Sequence, residues 1–413
     1  LQLTTAGESH GPGLTAILCG MPAGLKIDRD QIRHELRRRQ HGYGRGRRMQ
    51  IEQDDVEFKG GLRGGETLGS PICLWIPNRD FDNWREVMDP LEIDDERSEQ
   101  RRLRSPRPGH VDLAGGLKYA RHDLRDVLER ASARETAARV AAGAIARQLL
   151  AQFGVEIKSG VRSLGPVGQD RSTPSWDDLR NVDDESPLRA IHPELEEEMV
   201  RLVDQAKEDG ETLGGSVTAI AHGVPAGLGS HVHWSDKLDG RIAQAIMSVP
   251  AVKAVEIGSA LEASGGVGSQ AHDAILFDEA KGWRRSSNRA GGTEGGVTNG
   301  QDLSVTAYMK PISTLAKGLP SVDIDTKEER LSQYERSDVT ALPAAGVIAE
   351  AMLALVLADA LLEKLGGDSL AELEAHWQST QHLQRDWPVS YTHLRAHETR
   401  AFISYAVLCF KNG

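Results

Sequence analysis

The sequence predicts an α+β fold built from duplicated strand–loop–helix units, and three observations carry that expectation. The first is an echo. Gly20-Met21-Pro22-Ala23-Gly24-Leu25 returns as Gly223-Val224-Pro225-Ala226-Gly227-Leu228, each time after a short apolar stretch (Leu14 to Leu18, Val217 to Ala221) and ahead of a helix. Similar sequence builds similar supersecondary pieces, so the echo reads as a duplication, with too few copies for a solenoid. The second is the phrase Gly-Glu-Thr-Leu-Gly, at 65–69 and again at 210–214, before apolar strands both times. The third is helical periodicity in two long segments, Leu124 to Phe153 and Val347 to Leu365.

Taken in order, the first helix starts at Asp28, an N-cap with Gln31 three residues on, in the manner of a capping box. The segment Leu124 to Phe153 reads as one helix. Val127, Ala131, Ala138, Ala141, Ile145 and Leu149 form one apolar stripe, and Gly154 supplies the C-cap. Arg134 lies on that same stripe, so it either snorkels outward or is buried against an anion. The acidic, proline-bearing stretch from Asp170 to Glu198 reads as a solvated connection and a candidate insertion. The second echo leads to a helix from Ser235-Asp236 to Pro250. Val347 to Leu365 is interrupted by Glu350, Asp359 and Glu363, which makes it a core helix and not a membrane span. Residues 1–388 read as a single domain. Past Pro388 periodicity is lost, and 389–413 reads as a non-native or disordered tail.

A formal net charge of −12 argues against general binding to nucleic acid or a membrane surface. Cys19, Cys73 and Cys409 have neither metal nor disulfide spacing, which predicts a reducing, cytoplasmic setting. The first residues lack a basic region followed by an apolar run, so no signal peptide is expected.

Candidate chemistry concentrates in a few loops. His10 sits in Gly7-Glu8-Ser9-His10-Gly11-Pro12-Gly13, and His110 closes Arg104-Ser105-Pro106-Arg107-Pro108-Gly109-His110. Glycine lets the backbone approach a ligand, and histidine exchanges protons near neutral pH. A tight turn with a solvated imidazole is the other reading of His10 alone. Eight arginines fall between Arg29 and Arg48 and five between Arg97 and Arg107. In an acidic chain such islands suggest a focused anion site. Arg39 shares a helix face with Ile32 and Leu36, while Arg33, Arg37 and Arg38 read as a solvated face. A polyanion-binding protein is the competing use of these islands, but no aromatic residues interleave with them. The loop Asn288 to Gly300 is rich enough in glycine to cradle a phosphate, yet lacks a dinucleotide or P-loop spacing. Lys310-Pro311-Ile312-Ser313-Thr314 places a cation and two hydroxyls at a strand exit. Asp338 either caps the helix that follows or acts as a base oriented by Arg336. His231 and His233 read as structural or exposed, and no metal cluster is expected.

Together these segments resemble the chorismate synthase family. The stretches that carry the resemblance are Gly7 to Gly11 with Gly20-Met21-Pro22, then Glu129-Arg130-Ala131-Ser132-Ala133-Arg134-Glu135-Thr136, then Arg336-Ser337-Asp338 leading to Glu350. The similarity runs from about residue 3 to about residue 385. It implies a β-α-β sandwich, with helices between antiparallel sheets, and a homotetramer. The implied reaction turns 5-enolpyruvylshikimate 3-phosphate into chorismate and phosphate by a 1,4-anti elimination. That reaction needs reduced FMN but has no net redox change. Some members of the family reduce flavin themselves, which makes NADPH a candidate reductant, and a flavin reductase is the runner-up activity. By the same resemblance His10, His110 and Asp338 are catalytic. Ser9, Arg39, Arg45, Arg48, Arg107 and Arg134 bind the anionic substrate. Flavin contacts fall on Arg130, Ala131, Ser132, Ala251, Gly295, Lys310, Pro311, Ile312, Ser313, Thr314 and Arg336. Pro250 departs from the family's usual Asn or Gln and removes a backbone donor.

Overall fold

The computed structural model describes residues 1–45, 54–169, 172–279, 282–335 and 338–385. Two four-stranded antiparallel sheets enclose a layer of helices. Strands β1 (Gln2–Ala6), β2 (Gly13–Cys19), β3 (Glu57–Gly60) and β4 (Ile72–Pro77) pair in the order β1-β2-β4-β3. Strands β5 (Glu156–Leu164), β6 (Gly215–His222), β7 (Val252–Ile257) and β8 (Leu303–Met309) pair in the order β5-β6-β8-β7. One path is therefore drawn twice. The helices that bear on the argument are α1 (Arg29–Gln40), α2 (Arg125–Ala131), α3 (Thr136–Ala151), α4 (Leu238–Met247) and α5 (Leu342–Leu365). Helices α1 and α4 occupy equivalent places between the second and third strands of each half, and α3 and α5 follow the fourth. The expected α+β sandwich is present.

Strand periodicity explains the first sheet. Leu14, Ala16 and Leu18 of β2 face Ile76, Leu74 and Ile72 of β4 across the ladder, and all six are buried against the helices. Helix α5 is apolar on every side because it lies between other elements, packing on α3, β5 and β6. It is long and apolar enough to cross a membrane, but 78% of its most apolar window is buried in the protein. It meets α3 at Gly143, where an added Cβ would lie 2.4 Å from Ala351 Cβ and 2.6 Å from its Cα. Backbone cannot yield as a flexible side chain would. Gly143→Ala is therefore expected to destabilise the fold by about 1–3 kcal/mol, read as a lower urea midpoint.

The duplication extends into the turns. Gly24 and Gly227 both take φ of 88°, a value that favours glycine. Gly24 donates its N–H to Thr67 O, and Gly227 to Thr298 O. The Thr67 hydroxyl donates to Pro22 O and accepts from Leu25 N, and Thr298 does the same with Pro225 and Leu228. The structural partner of Gly65-Glu66-Thr67-Leu68-Gly69 is thus Gly296-Val297-Thr298-Asn299-Gly300. The Gly-Glu-Thr-Leu-Gly at 210–214 is not that partner. It forms the approach to β6, and its likeness to 65–69 is in letters alone.

Three further expectations are corrected. The helix expected over Leu124 to Phe153 breaks at Ser132, which is extended (φ −63°, ψ 142°) and whose Oγ accepts from Arg134 N. A serine hydroxyl competes for backbone donors in this way and restarts the helix as an N-cap. Asp28 caps α1 as expected, but Gln31 does not complete a capping box. Gln148 of α3 accepts from Asp28 N at 2.7 Å and donates to Asp28 O at 3.0 Å instead. Lastly, Arg38 and part of the 170–198 stretch are not solvated, because both serve Glu350.

Glu350 is the fully buried carboxylate of α5. Arg38 of α1 grips it with Nη1 at 2.7 Å and Nη2 at 2.9 Å, Arg147 of α3 donates at 2.8 Å, and Arg189 at 3.3 Å. Ser159 of β5 adds a hydroxyl at 2.6 Å, and Asp184 balances Arg38 and Arg189. Burial alone would raise the Glu350 carboxyl, but the guanidiniums of Arg38, Arg147 and Arg189 hold it well below the usual range. This network ties the two halves together.

Candidate active site

His10 follows β1 in a turn held against α2. Ser9 N donates to Glu129 O at 2.9 Å, and His10 N donates to Glu129 Oε2 at 2.8 Å. His10 Nδ1 lies 2.9 Å from both carboxylate oxygens, which accept, so Nδ1 carries a proton. The imidazole packs on Trp84 with ring centroids 3.9 Å apart and planes tilted by 31°, and Trp84 also receives the Arg101 guanidinium at 4.2 Å. Glu129 is buried. Desolvation would raise its carboxyl, but the hydrogen bonds and charge of His10, joined by Arg125, hold it below the usual range. The ring is therefore braced on one face and charged at one nitrogen's partner, unlike a solvated turn.

Ser9 Oγ accepts from Ser132 Oγ at 3.1 Å, and the break at Ser132 turns Arg134 inward. Arg134 Nη1 donates to Asp54 Oδ1, and Arg39 Nη2 donates to Asp54 Oδ2 at 2.7 Å. The two guanidiniums and the carboxylate are all nearly or fully buried. Arg45 stands close enough that its charge, with that of Arg134, opposes ionisation of Arg39. Burial is the larger effect lowering the Arg39 pKa, and Asp54 only partly offsets it. Arg39 Nε is buried without a partner among the described residues. A buried guanidinium donor of this kind suits an anionic partner. Arg45 in turn pairs with Asp338 at 2.8 Å. Asp338 does not cap α5, whose N-cap is Ala341.

The second histidine belongs to a separate cluster. Arg107 donates through Nε at 2.8 Å and Nη2 at 3.0 Å to Asp112, and through Nη1 at 2.8 Å to Thr314 Oγ1. His110 Nδ1 lies 2.5 Å from Asp112 Oδ1 and 3.0 Å from Arg107 Nη2. The carboxylate is the acceptor for both, which fixes the proton on Nδ1. Asp112 is fully buried. Desolvation would raise it, but His110 and Arg107 hold it well below the usual carboxylate range. Lys310 donates to Gly109 O at 2.9 Å and Ser313 Oγ at 2.7 Å. Burial, and then the charge of Lys253, lower its ammonium pKa. Ala251 O accepts from Lys310 N at 2.9 Å. Pro250 shapes this place. Val252 N bonds to Val249 O across Pro250 and Ala251, and Ala251 takes φ of 67°, the pattern of a type II turn.

A short bridge joins the clusters. Thr212 donates to Ile312 O at 2.7 Å, and Leu213 N donates to Val339 O at 2.8 Å, one residue from Asp338. His110, Arg107 and the 310–314 loop thus form one group, and Asp338, Arg45, Arg39, Arg134, Ser132, Ser9 and His10 another, with Thr212 and Leu213 between them. Ala131 precedes the Ser132 break. Arg130 supports the end of β1, donating to Gly7 O and Thr5 O at 3.0 Å each. Gly295 is not brought into either group. It lies at the tip of the 293–298 hairpin, beside the start of α4 and the Leu303 end of β8, whereas Lys310 follows the Met309 end. Arg48 and Arg336 lie outside the described residues. Among those described, no group of three or more His, Cys, Asp or Glu side chains could hold a metal ion.

Sequence reasoning missed Asp54, Glu129, Asp112 and Trp84. Asp112 stands two residues from His110, and Glu129 opens a stretch already singled out, so both were within reach. Nothing local marks Asp54 or Trp84.

Comparison with known proteins identifies the family. The sequence profile of the family described as Chorismate synthase matches residues 1–362. A chorismate synthase of Thermus thermophilus is 54% identical over 376 residues, spanning 91% of this chain and 97% of the relative. One from Aquifex aeolicus is 52% identical over 387 residues, spanning 92% and 96%. A crystal structure of chorismate synthase superposes with a TM-score of 0.73 at 44% identity, covering 92% of this chain and 96% of the other.

Proposed function

The chain belongs to the chorismate synthase family, and we propose that these two groups, with His10 in one and His110 in the other, form its active site. The enzyme converts 5-enolpyruvylshikimate 3-phosphate to chorismate and phosphate by a 1,4-anti elimination, a carbon–oxygen lyase reaction of the shikimate pathway. The family needs a reduced flavin. The observation that carries the site assignment is the convergence of the Arg39, Arg45 and Arg134 guanidiniums, the first and last meeting on buried Asp54, since the substrate brings a phosphate and two carboxylates.

Arg39, Arg45 and Arg134 bind these anionic groups, with Ser9 and Ser132 beside them. Arg107 joins them from the second cluster. His10, braced by Glu129 and Trp84, holds a proton for the departing phosphate. The second cluster fits a flavin, which we take to be reduced FMN. Lys310 is part-buried next to another lysine, and its acceptors among the described residues are a carbonyl and a hydroxyl. An anionic ring edge would satisfy it, with His110, Ser313 and Thr314 adding donors and Ala131, Ala251, Pro311 and Ile312 adding contact surface. When bound, reduced FMN supplies electron density to the allylic system as phosphate leaves. Asp338, paired with Arg45 and linked to the 310–314 loop through Leu213 and Thr212, takes part in moving the proton that the substrate loses. Gly295 is left out of the assignment.

The test is chorismate formation followed by absorbance under anaerobic conditions with chemically reduced FMN, with and without NADPH. Turnover without NADPH is expected. An absolute need for NADPH with pre-reduced flavin would overturn the non-redox elimination. Turnover from oxidised FMN plus NADPH would add flavin reduction to the chain's activities. We also infer a homotetramer. The 275–285 hairpin supports this by exposing Ile275, Phe277 and Trp283, and light scattering tests it. The buried seat of α5 and the free thiols of Cys19 and Cys73 support a cytoplasmic location.

A further inference from the structure

We propose that Asp54 is a positioning residue for the reaction: it sets the geometry of Arg39 and Arg134 toward the substrate's anionic group without itself touching the substrate. The inference rests on the assignment of those two arginines to substrate binding.

The geometry is specific. Asp54 gives one oxygen to each guanidinium, Oδ2 to Arg39 Nη2 and Oδ1 to Arg134 Nη1. The two arginines come from different elements, the last turn of α1 and the restart before α3, and are 95 residues apart in the sequence (134 − 39). Without a shared counter-ion, two buried guanidiniums repel and separate. One carboxylate spanning both fixes their spacing and the orientation of their planes. Each guanidinium carries five N–H donors in a rigid fork, so anchoring one donor within the packed surroundings limits where the rest can point. Arg39 Nε remains a buried donor with no partner among the described residues.

Charge reasoning leads to the same role. Desolvation would push the Asp54 carboxyl up, but Arg39 and Arg134 pull it below the usual range, so it stays ionised at neutral pH. An ionised Asp54 attracts both guanidiniums at once and holds them on one carboxylate. The Arg134 backbone N–H donates to Ser132 Oγ, which donates to Ser9 Oγ next to His10, so the turn that carries Arg134 also carries this contact.

The experiment is a double-mutant cycle on the full-length enzyme with reduced FMN present. Asp54→Asn keeps the size and removes the charge. It is expected to raise KM for 5-enolpyruvylshikimate 3-phosphate about tenfold, roughly the 1.4 kcal/mol per decade of binding, with kcat within about threefold and FMN affinity unchanged. Arg39→Lys alone is expected to raise KM as well. The Arg39→Lys/Asp54→Asn double variant should show less than the product of the two effects, because Asp54 acts through Arg39. Asp54→Glu, which keeps the charge, should recover part of the loss, and it carries the same cycle if the Asn variant does not fold. Multiplicative effects, or an unchanged KM in a folded Asp54 variant, would overturn the proposal while leaving the arginine assignment standing. An unchanged KM in Arg39→Lys and Arg134→Lys would instead overturn the arginine assignment, and the proposal with it.

Discussion

Replacing Glu350 with glutamine is expected to destabilise the protein by about 3–5 kcal/mol, the cost of removing one partner from a buried ion pair. Glutamine fills the same space and keeps an acceptor for Ser159, so lost volume does not account for the effect. What is lost is the charge that Arg38, Arg147 and Arg189 share. Two of those guanidiniums are almost fully buried and cannot turn to water. Urea unfolding would show a lower midpoint with little change in slope. A midpoint matching the parent would mean that the network contributes nothing net. The same pairing predicts acid sensitivity. A carboxyl held below its unfolded value, about 4.3 for glutamate, contributes stability above that pH and loses it progressively as pH falls toward the folded value. Glu129, Asp112 and Asp54 are depressed in the same direction, so the parent should lose stability below about pH 4. Glu350→Gln should show a shallower loss.

His110→Ala in the second cluster and Asp338→Asn beside Arg45 are each expected to lower kcat by roughly 10²–10⁴-fold, the span of a positioned proton-transfer group. FMN affinity should fall by less than about tenfold, because Arg107, Lys310, Ser313 and Thr314 remain. Anaerobic turnover and a fluorescence titration of FMN, made on the same preparations, separate the two effects. The buried Arg107–Asp112 pair survives the loss of His110, so the alanine variant should fold. Normal turnover in either variant removes that residue from the catalytic assignment. An equal loss of turnover and flavin affinity would recast it as a flavin ligand.

Much of the site was legible because its loops obey local rules. Gly7 to Gly13 and Arg104 to His110 announce themselves through residues that shape backbone within a few positions. The six-residue echo at 20 and 223 likewise marks real duplicated turns, since the same Gly-Leu geometry recurs in both. The phrase at 65–69 shows where such reading fails. Its look-alike at 210–214 shares letters, while its true counterpart at 296–300 shares only Gly, Thr and Gly. Hydrogen bonding at Thr67 and Thr298 identifies the match, and that bonding depends on which loop lies alongside. The long helix at 124–153 failed for a different reason. Ser132 is tolerable in a helix by propensity, but here its hydroxyl takes a backbone donor and turns Arg134 inward.

By itself the sequence determined the α+β class, the apolar core helix, the histidine loops and the two concentrations of arginine. These follow from periodicity and backbone sterics, which act over a few residues. Only the tertiary structure decided what each arginine does. Arg38 and Arg39 are adjacent in α1, yet one is consumed by Glu350, 312 residues away, and the other is set beside Asp54. His10 is likewise paired by Glu129 across 119 residues. A buried charge is stable only with its partner, and which partner it meets is fixed by the packing of two sheets around one helical layer.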